Sequence, residues 1–216
     1  MHSSPMIKAI IFDICGVLFL PRDESHQGKH PLNSFGQACV LLRNYGINVT
    51  DEAKPLLREI YLKSSVGAIT REETLSQMSA VVKSSPGDLE RAFKKMYTDT
   101  SIENVELYEH VLDLKRRGYK IGILSLLFPL SKDIFIPQKY YDNFDALVVS
   151  CDDKLRKPDP RVFQLMLERL GASAHESVFV DDKKENVQAS QALGMHGIRF
   201  ESNDQLLEAL AEVGVK

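Results

Sequence analysis

Asp13 combines a reactive side chain with a position in the chain that favours chemistry. It directly follows the apolar run 10–12 and precedes a turn that contains Gly16. A continuous apolar run that ends at a turn is typical of an interior strand of a parallel sheet, and such sheets bind ligands at the carboxyl ends of their strands. Asp13 is therefore a candidate nucleophile. Cys15 stands two residues further on, where a second carboxylate could serve as a general acid and base.

Three other polar features follow later apolar runs: Ser125, Lys157 and the pair Asp181-Asp182. The carboxyl ends of parallel strands lie side by side, so these side chains are expected to converge with Asp13 in one crevice. Three carboxylates there would repel one another unless a cation held them, and Mg²⁺ prefers oxygen ligands. Ser125 and Lys157 are then candidate donors to an anionic substrate. Asp13 would attack phosphorus while the cation and Lys157 neutralise the developing charge.

Apolar runs predict four more strands, at 119–125, 146–150, 177–181 and 197–200. Between most of them the apolar residues recur with helical spacing. This alternation of strand and helix predicts right-handed βαβ units. The expected fold is α/β, with a Rossmann-like open parallel sheet covered by helices on both faces.

The stretch between the first strand and the second carries helical periodicity, and no strand is expected within it. Thr70 and Glu73 have the spacing of a capping box, which predicts a helix that starts near residue 71, and Pro86 predicts another helix start. The chain is therefore expected to divide into an α/β core, residues 1–20 and 104–216, and a helical cap domain, residues 21–103.

Composition restricts the classes of partner. The 216 residues include 44% hydrophobic and 26% charged residues, as in ordinary globular proteins, and the formal net charge of −3 disfavours binding to nucleic acid or to anionic membranes. The three cysteines, Cys15, Cys39 and Cys151, suggest neither a disulfide framework nor a zinc motif. No targeting signal is evident, and a cytoplasmic location is expected. Lys183 and Lys184 are predicted to form a solvent-exposed turn.

Four short motifs occur in a recognisable order along nearly the whole chain. They are Asp13-Ile14-Cys15-Gly16-Val17, Ile123-Leu124-Ser125, Arg156-Lys157-Pro158-Asp159-Pro160, and Val180-Asp181-Asp182 with Asn186. In this order they resemble the motifs of the haloacid dehalogenase superfamily, in the subfamily with a small helical cap. The third and fourth motifs are most similar to the branch that contains the phosphatase domain of soluble epoxide hydrolase.

The resemblance implies a hydrolase that uses Asp13 as nucleophile and acts on a small phosphorylated metabolite. By the same resemblance, Asp13 and Asp182 bind Mg²⁺ together with the backbone carbonyl of Cys15, while Asp181 supports the metal site. Ser125 and Lys157 bind phosphate, and the cap selects the substrate. Leu126 stands beside Ser125 where relatives often have an asparagine, so one polar contact to the substrate is expected to be missing.

The second departure from the family pattern is Cys15, because phosphatases of this family usually have aspartate at that position. A thiol with a reference pKa of about 8.5, next to carboxylates, is a poor general base at neutral pH. A slow or selective phosphatase is therefore one interpretation, and a non-catalytic protein that binds a phosphorylated ligand or a protein is another. A 2-haloacid dehalogenase is less favoured because such enzymes lack the acidic pair of the fourth motif. Asp181 and Asp182 could also simply cap the following helix. The oligomeric state is not indicated.

Overall fold

The computed structural model describes residues 6–22 and 35–215. Its strands, in chain order, are β1 (Ala9–Phe12), β2 (Phe19–Pro21), β3 (Ser101–Glu103), β4 (Lys120–Ser125), β5 (Ala146–Val149), β6 (Ser177–Asp181) and β7 (His196–Arg199). Five of them form one sheet in the order β5-β4-β1-β6-β7, and every neighbouring pair is parallel. The predicted parallel sheet is confirmed, with each strand boundary within one residue of its expected position.

The helices, in chain order, are α1 (Phe35–Leu42), α2 (Ala53–Ser65), α3 (Arg71–Val82), α4 (Pro86–Thr100), α5 (Val105–Arg116), α6 (Pro129–Phe135), α7 (Gln138–Asn143), α8 (Ser150–Asp153), α9 (Pro160–Leu170), α10 (Lys184–Ala192) and α11 (Asn203–Glu212). None of the helices in the described part of the chain is both long enough and apolar enough to span a membrane.

The central strand β1 is buried on both faces, as its unbroken apolar run predicts. Ile10 and Phe12 belong to a core cluster on one face, which also contains buried residues of α5 and α11. Ala9 and Ile11 point to the opposite face, into a second cluster formed largely by α9. Successive side chains of a strand alternate between faces, so a strand covered on both sides must be apolar throughout. This burial holds the carboxyl end of β1 rigidly in the middle of the sheet.

Helices α1–α4 precede the second strand of the parallel sheet, and two of their starts agree with the sequence predictions. Thr70 forms the predicted capping box, because its hydroxyl accepts a hydrogen bond from the Glu73 amide and the Glu73 carboxylate accepts one from the Thr70 amide. Ser85 caps α4, in which Pro86 is the first residue. Residues 1–5 and 23–34, which belong to the predicted core and cap respectively, lie outside the described residues.

The expectation of no strand in the inserted stretch is wrong, because β3 pairs antiparallel with β2. Phe19 lies opposite Glu103, and Pro21 lies opposite Ser101. Strands of three residues are too short to show a period of two, so the pairing depends on backbone hydrogen bonds that leave no pattern in the sequence. Asn104 then ties the end of β3 to the turn after β1, since its amide donates to the Leu18 carbonyl. The two short strands carry the chain into and out of the helices α1–α4.

Candidate active site

Asp13 occupies the carboxyl end of β1 and is 4% exposed. Its amide donates to the carbonyl of Val180 on the neighbouring strand β6, at 2.9 Å. Its Oδ1 accepts hydrogen bonds from the Ile14 amide and from the Ser125 hydroxyl, both at 2.7 Å. Among the described residues every hydrogen bond to this carboxylate reaches Oδ1. The second oxygen, Oδ2, is therefore the one that this arrangement leaves for a substrate or a metal ion.

Lys157 bridges two buried carboxylates. Its ammonium donates to the Leu124 carbonyl at 2.8 Å and to Asp181 Oδ2 at 2.6 Å, and it lies 3.0 Å from Asp13 Oδ1. Burial alone lowers the pKa of Lys157, but Asp13 and Asp181 raise it more, so the net pKa shift is upward. The side chain therefore stays charged, and its three protons face three acceptors in a fixed geometry.

Asp181 is fully buried beneath the site, and donors surround both of its oxygens. Oδ1 accepts from the Lys183 amide at 2.8 Å and from the Asn186 side chain at 3.1 Å. Oδ2 accepts from Lys157 and, at 3.0 Å, from Asn186. The bond to the Lys183 amide resembles the predicted capping contact, but the other three bonds tie Asp181 to the site. Its geometry is that of a group that orients Lys157 and the turn after β6.

Asp182 approaches the turn after β1 so closely that only glycine fits opposite it. Gly16 has a φ of +93°, and a Cβ on Gly16 would lie 2.8 Å from Asp182 Cγ. Both the backbone conformation and the missing side chain are therefore required at this position. One carboxylate oxygen from each of Asp13, Asp181 and Asp182 lies within 4.8 Å of the others. The sheet thus brings together the three carboxylates that the sequence predicted to converge.

Cys15 lines the same cleft and is partly buried. Burial raises the pKa of its thiol well above the ordinary value, and Asp13 and Asp182 raise it further against the opposing effect of Lys183 and Lys157. The thiol is therefore neutral at physiological pH. This agrees with the expectation that it is a poor general base. Leu126 lies beside Ser125 in the cleft wall and presents an apolar side chain there.

An open cleft of about 580 Å³ leads to Asp13. Five of the predicted site residues line it, namely Asp13, Cys15, Ser125, Leu126 and Lys157. Asp181 and Asp182 are not among the lining residues of this cleft, which agrees with the position of Asp181 beneath the site.

Sequence reasoning missed several cleft residues, of which the cations are the most informative. Arg58 and Tyr61 reach the cleft from α2, Arg156 from the segment before Lys157, and Lys183 from the turn after Asp182. Lys183 was expected in a solvent-exposed turn, but it lines the cleft as well. Arg58 and Tyr61 are three residues apart and so share a helix face, yet only the packing of α2 against the core reveals what that face covers. The position of Arg156 next to Lys157 was a signal that could have identified it.

The fold and the carboxylate cluster define an α/β protein with its candidate site at the carboxyl edge of a parallel sheet. A family model described as haloacid dehalogenase-like hydrolase matches residues 7–194. The chain therefore belongs to the haloacid dehalogenase-like hydrolases, and the resemblance inferred from the four motifs is confirmed.

Individual relatives share between a quarter and a third of their aligned residues with this chain. The chain is 26% identical over 195 residues to the sesquiterpene phosphatase astK of Aspergillus oryzae. This match covers 89% of this chain and 89% of the relative. It is 32% identical over 106 residues to the pyrophosphatase PpaX of Bacillus cereus, which covers 48% of this chain and 49% of the relative. The chain thus matches only about half the length of that pyrophosphatase.

Among solved structures, the fold is similar to that of a family enzyme from Bacteroides thetaiotaomicron, described as a complex with magnesium and inorganic phosphate. The TM-score is 0.72 with 21% sequence identity, over 91% of this chain and 96% of the other. At this level of identity the likeness concerns the fold alone.

Proposed function

We propose that this hydrolase is a Mg²⁺-dependent phosphatase that forms a phosphoryl intermediate on Asp13. The observation that carries the proposal is the convergence of three carboxylates with Lys157 and Ser125 at one sheet edge. Two relatives whose names describe a phosphatase and a pyrophosphatase support the same reaction class.

The donor set fits magnesium. Carboxylate oxygens are the ligands that Mg²⁺ prefers, and those of Asp13 and Asp182 are close enough to share one ion. We assign these two side chains and the Cys15 backbone carbonyl to the metal, while Asp181 supports the site by holding Lys157 and Asn186. When bound, the ion would neutralise charge on the phosphoryl oxygens.

Each side chain of the site then has its own role in the reaction. Ser125 and Lys157 fix Oδ1 of Asp13, so that Oδ2 points at the phosphorus atom. Lys157 also offers positive charge to the phosphoryl group as negative charge develops in the transition state. Attack by Asp13 displaces the leaving group, and water then hydrolyses the aspartyl phosphate.

The helical stretch is proposed to act as a cap, with boundaries near residues 21 and 103. Arg58 and Tyr61 of α2 lie in the cleft wall above the nucleophile. Closure of such a cap would exclude water from the site and select the substrate. The partner is proposed to be a small phosphorylated metabolite, and the location is proposed to be cytoplasmic.

Asp182→Asn is expected to weaken Mg²⁺ binding by roughly 10–100-fold or more, because it removes one anionic ligand. Isothermal titration of the protein with Mg²⁺ alone measures the effect. The control is Asp204→Asn, which changes an exposed carboxylate on α11. Equal Mg²⁺ affinity in Asp182→Asn and in the wild type would contradict the assignment.

Cys15 favours a second candidate, a protein that keeps the site and binds a phosphorylated ligand without turnover. The neutral thiol can neither protonate a leaving group efficiently nor activate water. The apolar side chain of Leu126 offers the substrate no hydrogen bond. A dehalogenase remains the least favoured candidate, since the acidic pair suits a metal site.

Cys15→Asp is expected to raise kcat for alkyl phosphate monoesters by on the order of 10²-fold, because it supplies a general acid and base. Acetyl phosphate, whose leaving group needs no proton, should gain much less. Phosphate release from both substrates measures the effect, with Cys15→Asn as the control of similar size. Turnover that appears only in Cys15→Asp would favour the binding protein. If Cys15→Asp gains no more activity on alkyl phosphates than Cys15→Asn does, the role given to this position is refuted.

A further inference from the structure

The walls of the cleft carry more positive charge than one phosphoryl group requires. Arg58, Arg156 and Lys183 line the cleft in addition to Lys157. Within residues 6–22 and 35–215, the side chains of these three cations make no ion pair. Other arginines of the chain are paired: Arg71 with Glu90, Arg91 with Asp88, Arg161 with Asp159 and Arg169 with Asp153. The lining also contains the carboxylates Asp13 and Glu185, so the four cations outnumber the acids by two among the described lining residues, and an anionic ligand would neutralise the excess.

In the proposed function, the charge of Lys157 and the Mg²⁺ ion would match the phosphoryl group at Asp13 without these cations. Lys157 and Ser125 lie at hydrogen-bond distance from Asp13, at the floor of the cleft. Arg58, by contrast, is exposed and comes from α2. Arg156 and Lys183 belong to two different loops at the sheet edge. Their positive charge thus suits a second anionic group that is attached to the first.

Beyond Arg58 the cleft continues into an apolar groove. Phe35, Gly36, Arg58 and Leu62 line both the cleft and a neighbouring groove of about 470 Å³ between α1 and α2. Cys39 and Pro55 supply further apolar wall in the groove. Leu62 is 39% exposed there, so its apolar side chain is accessible to a ligand in the groove. A path therefore runs from the nucleophile, past an arginine that makes no ion pair within the described residues, to an apolar surface.

We propose that the substrate is an organic diphosphate with an apolar organic group. The terminal phosphoryl group lies at Asp13, the inner phosphate contacts Arg58, Arg156 and Lys183, and the organic group lies in the groove between α1 and α2. This inference rests on the proposed phosphatase function and specifies its substrate class.

Cleavage of the phosphoanhydride bond of such a diphosphate suits a cleft that lacks a general acid. Oδ2 of Asp13 attacks the terminal phosphorus, and the bond from that phosphorus to the bridging oxygen breaks. The electron pair stays on the inner phosphate, whose second pKa is about 6, so this group leaves without a proton. An alkoxide, whose conjugate acid is about as weak an acid as water, would need one. Water then attacks the aspartyl phosphate and loses its proton to solvent, which yields an organic monophosphate and inorganic phosphate.

The test compares n-octyl diphosphate, n-octyl phosphate and methyl diphosphate with Mg²⁺, measured as kcat/KM. The wild type should prefer octyl diphosphate to octyl phosphate by at least tenfold. Arg58→Ala should lower kcat/KM for octyl diphosphate by about 10–100-fold, the range for a lost charge-assisted hydrogen bond, with a much smaller effect on octyl phosphate. Arg91→Ala, at an exposed and paired arginine of α4, is the matched control.

Leu62→Ser tests the groove without adding a charge four residues from Arg58, and its exposed position makes the change tolerable for folding. It should lower kcat/KM for octyl diphosphate more than for methyl diphosphate. Preference for the monophosphate, or equal losses for both octyl substrates in Arg58→Ala, would overturn the inference. If acetyl phosphate is hydrolysed in an Asp13-dependent way while diphosphates are not preferred, the inference alone fails. If wild type releases no phosphate from any of these substrates, the proposed function fails as well.

Discussion

Asp13→Asn is expected to abolish phosphate release, with a fall in kcat of roughly 10⁴-fold or more. The amide is much less nucleophilic than the carboxylate, and it removes one of the negative charges proposed to hold Mg²⁺. The substitution preserves the shape of the side chain, so the amide oxygen can still accept the hydrogen bonds from Ile14 and Ser125. The loss should therefore appear in kcat without loss of the fold.

The measurement is phosphate release from acetyl phosphate, together with thermal unfolding of the same preparation. Asp159→Asn is a suitable control. Asp159 lies in the third motif, but within the described residues its side chain contacts only the exposed Arg161 and caps α9. A folded Asp13→Asn variant that retains a tenth or more of wild-type turnover would exclude Asp13 as the nucleophile.

Among the substitutions proposed for this site, Lys157→Met is expected to lower the free energy of unfolding most, by about 3–5 kcal/mol. It removes the cation from between two buried carboxylates. Asp13 and Asp181 would then repel each other, and their remaining hydrogen-bond donors in the described part of the chain are all neutral. Methionine keeps most of the apolar stem, so the loss reports on charge rather than on a cavity. For a chain of this length the midpoint of thermal unfolding should fall by roughly 6–20 °C, and turnover should be lost as well.

The pH dependence of this loss provides an internal check. Burial raises the pKa of Asp181 and Lys157 opposes that shift, so without Lys157 the pKa of Asp181 should rise further above its unfolded value. A carboxylate with a raised folded-state pKa takes up protons on folding, so the variant should gain stability relative to wild type as the pH falls towards about 5. Lys94→Met, at an exposed lysine of α4, is the control. A small loss of stability that does not vary with pH would contradict the buried bridge.

Much of the core could be predicted from the sequence because burial on both faces requires unbroken apolar runs. β1 is the clearest case, since each of its residues is buried and Asp13 follows directly. Once the strands are parallel and adjacent, topology alone brings Ser125, Lys157 and Asp181 to the same edge as Asp13. The convergence of these residues was therefore predictable, and it required no knowledge of side-chain contacts.

The remaining features depend on packing between distant segments. The pairing of β2 with β3 involves three residues on each side and backbone groups that any residue provides. The position of Arg58 in the cleft depends on how α2 lies against the core, which helical periodicity does not specify. The bridge from Lys157 to both carboxylates depends on N···O distances of 3.0 and 2.6 Å, which spacing along the chain cannot supply.

The central claim is a covalent phosphoryl intermediate on Asp13, and acid-quenched mass spectrometry during turnover of acetyl phosphate with Mg²⁺ tests it most directly. The account predicts one added phosphoryl group on the peptide that contains Asp13, and none when Mg²⁺ is chelated or when Asp13 is replaced by asparagine. Phosphate release without any adduct at Asp13, accompanied by undiminished turnover in Asp13→Asn, would contradict it.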